Sequence, residues 1–143
     1  MKHNRLYFLT LLILAWGCSP CEFNEVNRIK STDGIVDAVH VRGNCGATTP
    51  FSENVFIVQN GAKTPAPKDR YQVFSADHVE GLKLKWREPK VLEIHYKEAR
   101  IFHFTNFWHS KDVQNFSYVV EIRLRPETED YSLSRRDRWL DIK

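Results

Sequence analysis

Hydrophobic and polar residues alternate along three stretches of this chain, and strict alternation predicts β-strands with one buried face. Residues 82–87 (LKLKWR) alternate without a fault, and residues 91–96 follow after Glu88-Pro89-Lys90, so these two stretches predict a hairpin. Residues 116–125 alternate over the longest distance, and their predicted inward side chains are Phe116, Tyr118, Val120, Ile122 and Leu124.

Two further stretches, at residues 35–41 and 55–58, are rich in β-branched residues and are joined by a loop at residues 45–50. Every residue in 55–58 is apolar, which predicts a strand that is buried on both faces. On one face we expect Val55 and Ile57, and on the other Phe56 and Val58.

Weaker strand signals lie at residues 25–30, 71–79 and 100–104. About eight short strands joined by turns, with no convincing amphipathic helix, predict an all-β fold: a single antiparallel β-sandwich or a small barrel. We place this antiparallel β domain at residues 26–126. Residues 127–143 mix both charges and are expected to form a loose C-terminal tail.

The N-terminus is typical of a secretory signal peptide, which we place at residues 1–17. A short basic start precedes residues 6–15, an apolar run that is broken only by Thr10 and is too short to span a bilayer as a helix. The run leads into Ala15-Trp16-Gly17-Cys18, which resembles the lipobox of bacterial lipoproteins, although Leu14 lies one place early. The resemblance implies cleavage before Cys18 and lipid on it; ordinary signal-peptidase cleavage at the same bond is the alternative.

Three cysteines are an odd number for an exported chain, in which an unpaired thiol is a liability. If Cys18 carries lipid, Cys21 and Cys45 remain as one pair, and we expect a disulfide between them. Residues 18–25 would then be a lipid-anchored tether to the membrane. Because Ser19 follows Cys18, instead of the Asp that resembles an inner-membrane retention signal, we expect an outer-membrane lipoprotein facing the periplasm.

The charge balance argues against one class of partner. The formal net charge of +3 falls to +1 without residues 1–17, because Lys2 and Arg5 are lost. A nearly neutral domain has no global attraction for nucleic acid, so none is expected as a partner. The basic row of Lys83, Lys85 and Arg87 is interpreted as a solvated strand face that discourages edge pairing, with attraction to acidic headgroups as the alternative.

The central unit carries a motif in which Ser-x-Asp-Gly is followed by Ala-Val-x-Val and then by Cys-Gly-Ala-Thr-Thr and Phe-Ser. Its residues are Ser31, Asp33, Gly34, Ala38, Val39, Val41, Cys45, Gly46, Ala47, Thr48, Thr49, Phe51 and Ser52. The pattern, over residues 29–96, resembles a family of small uncharacterised bacterial exported proteins, although members often have Gly where this chain has Pro50. That family has no assigned activity, so the resemblance implies fold and compartment only.

Cys45 and the histidines are the candidates for catalysis or metal binding. Cys45 could be a nucleophile with a histidine as base, but no general-base motif surrounds it, and we prefer the disulfide to Cys21. His95, His103 and His109 lie eight and six residues apart, without the closer spacing of a zinc motif. We therefore expect solvent-facing histidines, no metal, no cofactor and no enzymatic activity.

Two segments concentrate hydroxyl and aromatic groups, and we predict that binding runs through them. The predicted binding residues are Thr48, Thr49, Phe51 and Ser52 in the first segment, and Phe107 and Trp108 in the second. The structural alternatives are hydroxyls that satisfy loop amides and rings that fill the core.

The first functional hypothesis is a non-enzymatic cell-envelope lipoprotein that binds an envelope protein or a cell-wall component. The alternative is a periplasmic inhibitor or immunity-type protein that blocks a lytic enzyme, by analogy with other small exported β domains. A hydrolase that uses Cys45 or a histidine-bound metal is the weaker alternative.

Overall fold

A computed structural model of the chain describes residues 21–66 and 72–127, which form nine β-strands in two sheets. The strands are β1 (Glu22–Lys30), β2 (Val36–Asn44), β3 (Ser52–Gln59), β4 (Gln72–Glu80), β5 (Lys83–Glu88), β6 (Val91–Tyr96), β7 (Glu98–Phe104), β8 (Phe107–Trp108) and β9 (Val120–Pro126). Sheet A has the order β1-β2-β3-β4-β7 and sheet B the order β5-β6-β9-β8. The fold is an all-β sandwich, as the sequence predicts.

Several predictions concern parts of the chain that are not described. The signal peptide at residues 1–17, the lipidated Cys18 and all but the first residue of the C-terminal tail lie outside the described residues. Among residues 21–66 and 72–127, no helix has the length and apolar character to cross a membrane.

β1 corrects the predicted domain boundary. It begins at Glu22, opposite Asn44 of β2, so the predicted tether of residues 18–25 is wrong for its last four residues. The pairing skips Val26, which forms a bulge, and residues 22–27 are all exposed, so β1 shows no alternation of buried and exposed positions. The sequence signal of this strand is weak for that reason.

Sheet A is buried on both faces. On its inner face, Val55 and Ile57 pack in the main core, to which sheet B contributes Leu92 and Ile122. On its outer face a second, smaller core contains Val39, Val41, Phe56 and Val58, with Ala62 packed against it. The prediction of two buried faces for β3 is confirmed.

Sheet B contains the predicted hairpin and one unpredicted pairing. β5 and β6 pair antiparallel, with Leu84 opposite Ile94. β9, however, lies parallel to β6, with Leu92 opposite Ile122, so the sandwich is not wholly antiparallel. The reason is topological, because the chain leaves sheet B after β6, joins sheet A as β7 and then returns.

The predicted strand at residues 116–125 begins later than expected, at Val120. Gln114–Phe116 form a short 3₁₀ turn in which all three residues have positive φ, and this conformation ends any extended run. Phe116 is consequently exposed, whereas Tyr118 and Ile122 are buried as predicted.

A disulfide joins Cys21 to Cys45, as predicted, and ties the start of β1 to the loop between β2 and β3. Both cysteines are exposed, and the bond closes a span of 24 residues. It fastens two neighbouring parts of sheet A and makes no connection to sheet B. We call this region, with its loop, the disulfide end.

A hydrogen-bonded tie connects the two sheets at the opposite end of β2. The Ser31 hydroxyl donates to Asp33 Oδ1 at 2.7 Å, and Gly34, with φ +73°, completes the turn. The Tyr118 hydroxyl lies 2.7 Å from Asp33 Oδ2 and 3.0 Å from the Pro89 carbonyl oxygen. Burial, together with the Asp33 carboxylate, raises the pKa of Tyr118 well above its ordinary value, so the hydroxyl remains a donor.

Candidate binding site

The candidate binding site is a pocket of about 320 Å³ between the segment that follows β3 and the segment that follows β8. Its apolar wall consists of Val58, Ala62, Pro65, Trp108 and Val113. Its polar lining consists of Gln59, Lys63, Thr64, Ser110 and Asp112. An apolar wall with a few polar groups is the usual composition of a ligand pocket.

The segment after β3 is held in place on the outer face of sheet A. The Ala62 amide donates to the Gln59 carbonyl, which turns the chain back at the end of β3. Farther along, the Thr64 hydroxyl donates to Glu25 of β1 and is contacted by Arg28 at 3.5 Å. This wall of the pocket is thereby anchored across the sheet.

Ser110 organises the opposite wall. It is buried, and its hydroxyl accepts the Asp112 amide at 3.1 Å, while its carbonyl accepts the amides of Val113 and Phe116. Three amides thus converge on one residue and form the tight turn that precedes the 3₁₀ segment. The turn brings Asp112 and Val113 against the pocket.

Trp108 is the member of the wall with an unusual property. Its side chain is only 4% exposed, and the main core packs against it. Within the described residues its indole N–H has no hydrogen-bond partner. Buried Trp N–H groups normally find an acceptor, so this buried donor is an unsatisfied polar group in the folded chain.

The two predicted binding residues in this region, Phe107 and Trp108, differ in their exposure. Phe107 is 55% exposed, as an interaction surface requires, and pairs with Glu121 at the edge of sheet B. Trp108 points the other way and is buried, so the interpretation of its ring as core is the correct one. Phe102 and Phe104 on β7 are exposed as well, so the edge that leads from sheet A to sheet B is aromatic.

The other predicted segment, the Thr48–Ser52 loop, lies at the disulfide end. Phe51 is 54% exposed, and the Arg42 guanidinium lies 5.7 Å from its ring centroid. Within the described part of the chain the hydroxyls of Thr48 and Thr49 form no hydrogen bond, whereas Ser52 accepts one from Asn54 at 3.3 Å. Only Ser52 satisfies a neighbouring group, and both threonines present free hydroxyls.

The two predicted segments do not form one surface. The loop precedes Ser52, the first residue of β3, while the pocket adjoins Val58 and Gln59 at the other end of the same strand. A strand rises about 3.4 Å per residue, so roughly 20 Å separates Ser52 from Val58. Each segment has to be considered as a site of its own.

His40 is the histidine with the most enclosed surroundings. Its Nε2 lies 2.5 Å from Glu53 Oε2, and Arg42 Nε donates to the other Glu53 oxygen at 2.7 Å. Burial pushes the pKa of Glu53 up, but the bonds from His40 and Arg42 outweigh burial and hold this pKa below its ordinary value. Cys45, the nucleophile considered from the sequence, is oxidised in the disulfide and offers no thiolate.

The same arrangement recurs at three other buried carboxylates. Each carboxylate accepts hydrogen bonds from a more exposed arginine, and the pKa of each is lowered. The pairs are Asp37 with Arg28, Asp77 with Arg100, and Glu93 with Arg125. The recurrence in both sheets indicates that these pairs support the fold.

The histidines considered as metal ligands lie apart. His95 bonds Glu93 at 3.2 Å, and the ring of His109 packs edge-on against Phe116. His103 is exposed on β7. Among the described residues, no three His, Cys, Asp or Glu side chains form a group that could hold a metal ion.

Sequence reasoning did not identify most of the pocket. The residues at 58–65 read only as a strand end and a surface loop, and those at 110–113 only as a connection. No protein-family model, curated protein or solved structure matches this chain. The candidate site is consequently argued from geometry and chemistry.

Proposed function

We propose that this chain is a cell-envelope lipoprotein, held at the outer membrane by a lipid on Cys18, and that its β-sandwich is a non-enzymatic binding module. The basic start and apolar run of residues 1–17 support export. The Cys21–Cys45 bond supports an oxidising compartment, and it leaves Cys18 as the cysteine that a lipid can occupy.

The observation that carries the binding half of the proposal is the unpaired indole N–H of Trp108 in the wall of an apolar pocket. Such a pocket suits an envelope protein or a cell-wall component that offers a carbonyl or hydroxyl oxygen beside an apolar group. The oxygen would accept a hydrogen bond from the Trp108 N–H, and the apolar group would lie against Val58 and Val113.

The test compares two tryptophan variants of the mature lipoprotein. Trp108→Phe keeps an aromatic ring and removes the unpaired donor. Trp86→Phe is the matched control, because the Trp86 N–H donates to the Ile29 carbonyl at 3.1 Å and serves the fold. Binding is measured by sedimentation with isolated cell-wall sacculi and by cross-linking in whole envelopes.

We expect both variants to fold with a lowered melting temperature, since each loses part of a packed ring, but only Trp108→Phe to lose most binding. Binding by Trp108→Phe that equals the unmodified protein would contradict the pocket as the site. A mature protein without lipid on Cys18, found by mass spectrometry of its N-terminal peptide, would contradict the anchor.

A second candidate function is inhibition of a lytic enzyme, and the Thr48–Ser52 loop favours it. A disulfide pins this loop, which presents the free hydroxyls of Thr48 and Thr49 beside the exposed Phe51. A rigid exposed loop is a suitable shape for insertion into an enzyme cleft. Lysis of a cell-wall suspension by a muramidase should then slow with the protein present and recover with Phe51→Ala.

A further inference from the structure

Three exposed apolar side chains lie on the strands and loop of the disulfide end. Phe23 is 38% exposed, Val26 49% and Phe51 54%. Exposed apolar groups at one end of a small domain often mark a surface that contacts a partner or a membrane.

Glycine at position 43 makes room for the Phe23 ring. Gly43 pairs with Phe23 of β1 on one side and with Ser52 of β3 on the other. A Cβ at this position would lie 2.5 Å from the Phe23 ring and 2.4 Å from Ser52 Oγ, so the ring lies directly over the backbone. The Phe51 ring is on the other face, since its neighbour is the Arg42 guanidinium at 5.7 Å and side chains 42 and 43 project to opposite faces of β2. The two rings therefore flank the same end of sheet A, one on each face.

The chain length between Cys18 and the body decides what this end of sheet A faces. Cys21 is fixed by its disulfide and by the start of β1 at Glu22, and only Ser19 and Pro20 separate it from Cys18. Three residue steps span at most about 11 Å. If Cys18 carries lipid, as the proposed function holds, the disulfide end must lie at the bilayer surface.

The side chains at this end have the chemistry of the bilayer interface. The rings of Phe23 and Phe51 suit the boundary between headgroups and acyl chains. The free hydroxyls of Thr48 and Thr49, and the half-exposed guanidinium of Arg42, suit the phosphate and carbonyl oxygens just above that boundary.

We infer that the disulfide end, made of Phe23, Val26, Phe51 and the Thr48–Ser52 loop, is a membrane-contacting surface that seats the domain on the phospholipid bilayer. This inference rests on the proposed lipid anchor. It fixes one orientation of the lipoprotein, in which Val58 and Gln59 of the pocket lie roughly 20 Å along β3 from Ser52 at the bilayer.

The test is hydroxyl-radical footprinting of the lipidated protein in phosphatidylethanolamine–phosphatidylglycerol vesicles, read by mass spectrometry. The matched variant carries a twelve-residue Gly-Ser insertion between Pro20 and Cys21, which keeps the lipid and frees the body. Phe107 is the internal control, since its ring is exposed and its partner Glu121 bonds Lys90, next to Pro89 at the hydrogen-bonded end of the sandwich.

We expect oxidation of Phe23 and Phe51 to be several-fold lower in the native chain than in the insertion variant, with Phe107 equal in both. Equal oxidation of Phe51 in the two chains, or protection of Phe107 instead, would overturn the inference while leaving the anchor in place. A Cys18 without lipid, detected in the same digest, would remove the anchor, and the inference would fall with it.

Discussion

The two ends of the β2–β3 pair are held by different chemistry. At one end a covalent bond between Cys21 and Cys45 ties β1 to the β2–β3 loop, all within sheet A. At the other end hydrogen bonds from Ser31 and Tyr118 converge on Asp33 and tie sheet A to sheet B.

The difference separates two ways to stabilise a sandwich. A disulfide acts mainly by restricting the unfolded chain, whatever it touches in the folded one. The Tyr118 hydroxyl acts in the folded state only, because its two acceptors come from different sheets. The disulfide therefore stiffens one sheet, and Tyr118 fixes how the two sheets pack.

The largest effect is expected when the Tyr118 hydroxyl, which ties the two sheets, is removed together with its ring. Tyr118→Ala deletes a fully buried side chain and should lower the free energy of unfolding by about 3–5 kcal/mol. Urea denaturation followed by circular dichroism measures it. Phe116→Ala is the matched control, because this exposed ring should cost less than about 0.5 kcal/mol. Equal losses in the two variants would show that Tyr118 is not part of the core.

The next largest effect is expected at the disulfide end. Replacing both Cys21 and Cys45 with Ser should lower the free energy of unfolding by about 3 kcal/mol, through the entropy of the 24-residue span. The urea m-value should rise, since the unfolded chain becomes more expanded. An unchanged m-value with the same loss of stability would mean that the bond acts in the folded state.

Acid should weaken both ends, and the carboxylate at the hydrogen-bonded end can be followed separately. Burial tends to raise the pKa of Asp37, but the Gly61 amide, Asn60 and Arg28 outweigh burial and lower it below 3.8. The folded state therefore binds fewer protons than the unfolded state. The stabilisation from ionised Asp37 is present above pH 3.8 and is lost as the pH falls through the folded pKa.

Asp37→Asn should cost about 1.5–3 kcal/mol at neutral pH, because three donors lose a charged acceptor. The difference from the unmodified protein should shrink as the pH falls below 3.8. Urea midpoints at a series of pH values measure both quantities. A difference that is independent of pH would exclude ionised Asp37 as the cause, and Glu53→Gln provides the same comparison at the disulfide end.

The smallest effect isolates the hydroxyl of the tie. Tyr118→Phe keeps the ring and removes the donor, while Asp33 and Pro89 are exposed and can be hydrated instead. The expected cost is about 1 kcal/mol with no change in the m-value. A loss as large as that of Tyr118→Ala would mean that the hydroxyl, and not the ring, holds the sheets together.

The sequence could predict those features that a local pattern records. Alternation in residues 82–87 identifies β5 because every second side chain faces solvent. The unbroken apolar run at 55–58 identifies a strand that is buried on both faces. The disulfide followed from the cysteine count. The start of β1 was missed because residues 22–27 are all exposed and give no alternation of apolar and polar positions.

Features that join distant parts of the chain could not be predicted. The bond between Asp33 and Tyr118 spans 85 residues, and nothing local marks either residue as the partner of the other. Alternation in β9 indicates which side chains are buried, but not which strand pairs with β9 or in which direction. The parallel pairing with β6 was missed for this reason. The pocket was missed because its two walls are about 50 residues apart along the chain.

The position of β9 has a consequence for the time at which this protein can fold. β9 is the last strand of the described chain, yet it lies in the interior of sheet B, between β6 and β8. A chain that emerges N-terminus first can complete β1 to β4 of sheet A early. Sheet B must wait for Val120–Pro126, and the apolar inner face of sheet A stays uncovered until then. During synthesis, a half-built sandwich thus has to be protected up to its final strand.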